Sequence, residues 1–272
     1  MSDDRSDGAP TVRLALAQMR VEPGAAEANV ARAVNLVRQA AASGSDIVLF
    51  PETLDFGWTW SGANADRAPL PDSAAYQALA RAAADSGVYV CAGLTETAGN
   101  LTFNSAVLIG PDGRQRLRHR KIHELPFART VYAEGSALRV VDTPFGRVGI
   151  LICSDALAPG HALLESLGLM GARLVLSPCA WADEPGRDLA RTPYGDLWRD
   201  VYRPVSARYA LPIAAVSNVG PVAGDHWATR RCIGNSIVFD AGGREVLTGP
   251  YGDAAEALLR VDLRLPARRE RA

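Results

Sequence analysis

Lysine is almost missing from this sequence. Of its 29 Lys and Arg residues, one is lysine, Lys121, and 28 are arginine. The two are often exchangeable on a surface, so drift towards arginine empties a chain of lysine by degrees. A lysine kept against that drift points to a need for a compact ammonium with a movable pKa, which a guanidinium does not supply. An excess of one charge is lacking too. The formal net charge is −1, which leaves no basic face for nucleic acid or an anionic membrane. No apolar run approaches the roughly 20 residues that cross a bilayer. Residues 1–10 are polar and acidic, without the apolar segment of a signal peptide, and read as a disordered tail. Cysteine is scarce, with four, at 91, 153, 179 and 232. They form no C-x-x-C pair and no zinc spacing with His119, His123, His161 or His226. Reduced thiols and a cytoplasmic protein follow, and each cysteine reads first as a small buried hydrophobe.

What is present is ordinary for a globular chain: 272 residues, 48% hydrophobic and 22% charged. That length buries a large core without cross-links. Strand-like and helix-like segments alternate. Strands are expected at 12–19, 46–50, 88–95, 101–109, 138–142, 148–153, 173–177, 213–217, 233–240 and 257–261. Helices are expected at 25–43, 72–86, 162–170 and 194–209. Gly44, Gly87 and Gly171 serve as stops, and Asp72 or Ser73 as an N-cap. Turns fall at Pro111-Asp112-Gly113, Pro144-Phe145-Gly146 and Gly242-Gly243. No linker, charge run or repeat marks a boundary. The reading is one α/β domain over 11–265, between tails at 1–10 and 266–272, with central strands covered on both faces.

In such sheets the site forms beyond the carboxyl ends of the strands. Ile47-Val48-Leu49-Phe50 runs into Pro51-Glu52, and Gly149-Ile150-Leu151-Ile152 into Cys153-Ser154-Asp155. Leu174-Val175-Leu176-Ser177 runs into Pro178-Cys179-Ala180-Trp181, and Ala214-Ala215-Val216-Ser217 into Asn218. A carboxylate, a thiol, an aromatic and an amide at buried strand ends need partners, which convergence on one pocket would provide. Cys153 is then a candidate nucleophile, Glu52 its base, and Lys121 the cation for a developing oxyanion, aided by the backbone N–H of Ser154. Plainer readings stand beside these. Cys179 is as well placed as Cys153 by spacing alone, and Trp58, Trp60 and Trp181 are more often packing than substrate contacts.

Three ordered motifs raise the first reading: Leu49-Phe50-Pro51-Glu52, His119-Arg120-Lys121-Ile122-His123, and Gly146-Arg147-Val148-Gly149-Ile150-Leu151-Ile152-Cys153-Ser154-Asp155. With the strand-like segments 100–107 and 234–240, they resemble the nitrilase (carbon–nitrogen hydrolase) superfamily from about residue 12 to 263. The resemblance implies a four-layer αββα sandwich, a homodimer or larger assembly, and no cofactor or metal. It implies Glu52 as general base, Lys121 as electrostatic partner and Cys153 as nucleophile, with Cys179 left to structure. The expected activity is hydrolysis of a non-peptide C–N bond in a small amide or N-carbamoyl amine through a cysteine thioester. The alternatives are a nitrile hydrolase of the same mechanism and a catalytically idle member serving as a binding or assembly module.

Two departures bear on the substrate. Many members carry a second glutamate seven positions before the glycine matching Gly135, where this chain has Ala128; Glu124 and Glu134 are the candidate replacements. Many also carry an arginine and a glutamate after the cysteine, where this chain has Ala156-Leu157-Ala158-Pro159-Gly160. The arginine often holds the carboxylate of a carbamoyl amino acid, so that substrate is disfavoured unless Arg129 or Arg187 supplies the charge from a loop. Pocket shape is expected from loops 56–63, 126–132, 181–194 and 221–231. Trp58, Glu124, Phe127, Trp181 and Asn218 are the candidate substrate contacts, and Trp227 joins the aromatics as a partly apolar wall.

Overall fold

The computed structural model describes residues 10–62, 68–224, 226, 227 and 229–266. The tail expectations for 1–9 and 267–272 lie outside these residues. In chain order the elements are β1 (Thr11–Gln18), α1 (Ala26–Ala42), β2 (Ile47–Leu49), α2 (Ala74–Ser86), β3 (Tyr89–Ala98), β4 (Leu101–Ile109), β5 (Gln115–Arg120), β6 (Val140–Thr143), β7 (Gly146–Ile150), α3 (Ala162–Leu169), β8 (Leu174–Cys179), β9 (Ala182–Asp183), α4 (Asp196–Tyr209), β10 (Ile213–Ser217), β11 (Val219–Pro221), β12 (Arg231–Ile233), β13 (Ile237–Phe239), β14 (Glu245–Thr248) and β15 (Ala257–Arg264). Two six-stranded sheets form among the described residues, in the orders β15-β1-β2-β3-β4-β5 and β14-β13-β10-β8-β7-β6.

Strand alternation sorts the apolar side chains into layers. Leu14, Leu16, Ile47, Leu49, Ile150, Ile152, Leu174 and Leu176 fill the space between the two sheets. Ala15, Ala17, Val48 and Val90 face the other way, onto Val37 of α1 and Leu79 of α2. On the far side, Val175 and Ile213 pack against Leu164 of α3 and Trp198 of α4. These three cores make a four-layer αββα sandwich. Each fully buried Leu or Ile adds roughly 1.5–3 kcal/mol to it.

The helix ends follow local chemistry. Ser73 caps α2, its Oγ accepting the Tyr76 N–H at 3.2 Å, and Gly87 ends it at φ 67°. α4 starts two residues later than expected, after Gly195 at φ 100°. The single strand expected over 233–240 is broken at Gly234 and Asn235, both at positive φ, into the end of β12 and β13, and other strands add to the expected set. The segment Gln115–Arg120, with only Leu117 and His119 turned inward, is a full strand on the rim of the first sheet. The turn at Gly242-Gly243 leads into β14, a short strand absent from the expected set. The last strand, β15, does not follow in the same sheet: it crosses to the first sheet and pairs antiparallel with β1. Among the described residues no helix is long and apolar enough to cross a membrane.

Candidate active site

β2 ends at Leu49, and the chain turns sharply through Phe50 and Pro51 to Glu52. Gly93 in β3 permits that turn: a Cβ there would stand 2.5 Å from Glu52 Cα and 2.6 Å from the Pro51 carbonyl. The Glu52 N–H donates to the Cys179 carbonyl at 3.2 Å, which ties the end of β2 to the end of β8 in the opposite sheet.

Glu52 and Lys121 are both about 1% exposed. The Lys121 ammonium donates to Glu52 Oε1 at 2.6 Å and lies 3.5 Å from Glu124 Oε2. Asn104 in β4 grips both partners: its side-chain amide donates to Glu52 Oε1 at 2.6 Å, and its carbonyl accepts the Lys121 N–H at 2.8 Å. Burial alone would push the Lys121 pKa down. The carboxylates of Glu124 and Glu52, with Cys153, outweigh it and hold the ammonium well above its ordinary value. Glu52 Oε2 has no hydrogen-bond partner among the described residues.

Cys153 follows β7 at φ 45°, in the left-handed region that costs a non-glycine residue of order 1–3 kcal/mol. Asp155 holds the strained turn. Its Oδ2 accepts the Ile152 N–H at 2.9 Å and lies 2.7 Å from His119 Nε2; its Oδ1 accepts the N–H groups of Ile122 and His123 at 2.9 and 2.8 Å. Ser154 Oγ adds a 2.7 Å bond to the His123 carbonyl. The loop bearing the thiol and the loop bearing the ammonium are thereby fastened to each other. Cys153 is half-buried whereas Cys91, Cys179 and Cys232 are buried. Contact with the Cys179 thiol, then burial and the charge of Glu52, raises the Cys153 thiol well above its ordinary pKa, with Lys121 pulling the other way. That direction favours the neutral thiol over the thiolate at rest.

Glu124 and Glu134, the two candidate replacements for the second glutamate, lie in different settings. Glu124 is fully buried beside Lys121, whereas Glu134 pairs with Arg129 on the surface at 2.9 Å, both more than 40% exposed. Burial, assisted by the charges of Glu52 and Asp155 against the pull of Lys121, pushes Glu124 up to about 7. The unfolded chain releases this proton near 4.5. Glu124 therefore contributes stability that is complete below that value and lost as pH rises through about 7. Between about pH 5 and pH 8 the wild type is expected to lose roughly 2–3 kcal/mol more than a Glu124→Gln variant, which has no proton to lose. Urea unfolding of both across that range checks this; parallel slopes would contradict it.

The other candidate contacts divide. Trp58 is buried, its ring 5.7 Å from the Lys121 ammonium, and Phe127 and Trp227 pack on it with centroids 5.4 and 5.0 Å away. Together they wall one side of the cluster. Asn218 is buried, with Oδ1 unpartnered among the described residues, and its side chain hydrogen-bonds Cys232. Burial pushes the Cys232 thiol up to about 12, the Asn218 bond pulls it down, and the charge of Glu52 adds to the rise. Trp181 sits in the core under α4, stacked on Trp198 at 4.8 Å. Asn104, Asp155 and His119 were not singled out from sequence, although Asn104 lies in a family-like strand and the other two lie within the quoted motifs. Arg129 and Arg187, the possible holders of a substrate carboxylate, are each paired with a carboxylate already, Glu134 and Asp183.

A glutamate, a lysine and a cysteine thus lie just past strand ends of two facing sheets. The chain belongs to the carbon–nitrogen hydrolase family, whose model matches residues 13–271. It is 31% identical over 173 residues to a nitrilase of Pyrococcus abyssi, covering 61% of this chain and 64% of that one. It is 34% identical over 158 residues to the omega-amidase NIT2 of Mus musculus, covering 53% and 55%. The chain thus aligns with less than two thirds of the length of these relatives. The structure of an amidase from Nesterenkonia sp. has the same fold, with a TM-score of 0.77 at 22% identity over 96% of this chain and 93% of that one.

Proposed function

We propose that this protein hydrolyses the C–N bond of a small uncharged amide through a thioester on Cys153. The observation that carries the reading is the division of labour at Glu52. Oε1 is occupied by Lys121 and Asn104, and Oε2 is left without a partner, as a proton acceptor must be. Since the resting sulfur keeps its proton, a base has to remove it as the sulfur attacks. Glu52 takes the proton, Cys153 Sγ bonds to the carbonyl carbon, and negative charge moves to the carbonyl oxygen. The Lys121 ammonium and the Ser154 N–H stabilise that oxygen, at roughly 3–4 kcal/mol per well-placed donor. Glu52 then passes its proton to the departing amine as the C–N bond breaks. It next takes a proton from water, which attacks the thioester and releases the acid and the free thiol. Glu124, buried beside Lys121, serves as the second carboxylate and orients the amide group.

The aromatic wall of Trp58, Phe127 and Trp227 and the occupied Arg129 and Arg187 favour uncharged substrates over N-carbamoyl amino acids. An ammonia-release screen over uncharged amides, N-carbamoyl amines and nitriles tests this. Acid and ammonia from amides are expected. Ammonia from nitriles alone would replace the amide reading with the nitrile one. Silence across the panel, with Cys153 no more reactive than Cys91 towards a mild electrophile, would leave a binding or assembly module. The assembly is proposed to be a homodimer or larger and the location cytoplasmic, on the family resemblance and the reduced thiols.

A further inference from the structure

Cys153 and Cys179 leave neighbouring strands of the second sheet. β7 and β8 run parallel, with Val148 opposite Leu174, Gly149 opposite Val175 and Ile150 opposite Leu176. The Leu151 N–H extends the ladder to the Leu176 carbonyl at 3.3 Å. The same register carried past the strand ends sets Cys153 beside Cys179. Ile150, Ile152, Leu174 and Leu176 point between the sheets, while Leu151, Val175 and Cys179 belong to the layer beneath α3 and α4; Cys153, past the end of β7, packs against both layers. Adjacent strands lie about 4.7–4.9 Å apart, inside the Cα separation of about 4.4–6.8 Å that a disulfide spans, and Cys153 stands three residues past the end of β7, where the chain begins to turn.

Both side chains belong to one packed layer, Cys179 within it and Cys153 against it, and the neighbouring Cys179 thiol holds the Cys153 proton more tightly. Their settings differ. Cys153 is half-buried in the site, whereas Cys179 is wholly covered, its Sγ 3.4 Å from the Ser177 carbonyl and 3.5 Å from Ser177 Oγ. The remaining cysteines sit in other layers. Cys91 lies between the sheets and Cys232 in the aromatic cluster with Trp58.

We infer that Cys153 and Cys179 form a peroxide-responsive pair, in which oxidised Cys153 is captured by Cys179 as a disulfide. The Cys153 sulfur, its proton passed to Glu52, attacks one oxygen of a hydroperoxide. The O–O bond breaks, leaving a sulfenic acid on Cys153, and the other oxygen departs with that proton as water or an alcohol. The Cys179 sulfur then attacks the sulfenic sulfur. The S–O bond breaks, and hydroxide leaves with the Cys179 proton as water. Two thiols give up two electrons and two protons, and the peroxide accepts them. The bond blocks the nucleophile, and it stops the sulfenic acid from advancing to sulfinic and sulfonic acids, which a thiol reductant does not reverse.

The test exposes the full-length protein to hydrogen peroxide, alkylates the remaining thiols, digests without reduction and weighs the peptides. A peptide pair joining Cys153 to Cys179, about 2 Da lighter than its two reduced members, is expected. Dithiothreitol should restore both free thiols. In Cys179→Ser and Cys179→Ala variants the same exposure should carry Cys153 to sulfinic or sulfonic acid, beyond recovery by dithiothreitol. A Cys153–Cys232 link, no cross-link at all, or Cys153 oxidised alike in wild type and variants would overturn the inference. Because mass is the readout, the outcome does not depend on which amide, if any, the protein turns over.

Discussion

Replacing Cys153 by alanine is expected to lower turnover by roughly 10⁴-fold or more, since no other group in the cluster can carry the acyl intermediate. Thermal unfolding should barely move. The side chain is half-buried, the substitution removes one sulfur atom, and alanine fits the left-handed turn no worse than cysteine does. The turn itself is held by Asp155 through backbone and ring contacts that ignore the residue at 153. The measurement is ammonia release from the best amide, paired with a melting curve. Activity within tenfold of wild type would pass the nucleophile's role elsewhere, with Cys179 the nearest heir. A parallel Cys179→Ala preparation distinguishes the two thiols: it should retain turnover under reducing conditions while Cys153→Ala loses it.

The second large effect belongs to the lone lysine. Lys121→Met keeps the length of the side chain and removes its charge, leaving Glu52 and Glu124 buried with no cation between them. Breaking a buried pair from one side costs about 3–5 kcal/mol, most of it the stranded partner. Two stranded carboxylates place this variant at the upper end. The loss should depend on pH. Without the ammonium, which pulls Glu124 down, that carboxyl is pushed up further in the folded chain, so the variant is stabler while Glu124 stays protonated and weakens as pH rises through its folded value. Denaturant midpoints near pH 5 and near pH 8 should therefore differ far more for Lys121→Met than for wild type. Turnover should fall by about 10²–10³ from loss of the oxyanion donor alone. Lys121→Arg separates charge from shape. It restores a cation but forces a planar fork into a space fitted to a point charge, so stability should return further than activity. A Lys121→Met protein as stable as wild type at both pH values would remove Lys121 from the electrostatic centre.

Much of this was legible in the residues because buried parallel strands advertise themselves. Ile47–Leu49, Gly149-Ile150-Leu151-Ile152 and Ile213–Ser217 are apolar runs, and the residues just past their ends include Glu52, Cys153 and Asn218. Lys121 was legible for a different reason, its rarity. What escaped were features set by pairing across long distances. Gln115–Arg120 reads as a charged loop because its arginines face outward, where Arg118 and Arg120 meet Glu96 at 2.9 and 2.5 Å. Only the inward Leu117 and His119 reveal the strand. Asn104 escaped because its partner, Glu52, is 52 residues away, and nothing local marks a mid-strand amide as a hand on a carboxylate. Asp155 stands inside a motif, but its hydrogen bonds are mostly to backbone N–H groups, which have no letter in the sequence. The choice of sheet for β15 escaped too, since an apolar period of two fits either sheet equally well.

That choice has a kinetic side. The register of β1 with β15 runs from Thr11 opposite Arg264 to Gln18 opposite Ala257, so the opening strand waits for almost the whole polypeptide before its flank is covered. Pairing across such separations is slow, because loop-closure entropy is lost before any contact rewards it. Meanwhile β1, with Val12, Leu14 and Leu16 on one face, presents a bare row of N–H and C=O groups, a template for any passing strand. The half-assembled chain, more than the finished one, is the species prone to clump, and a refolding protocol that keeps it dilute should recover the most protein.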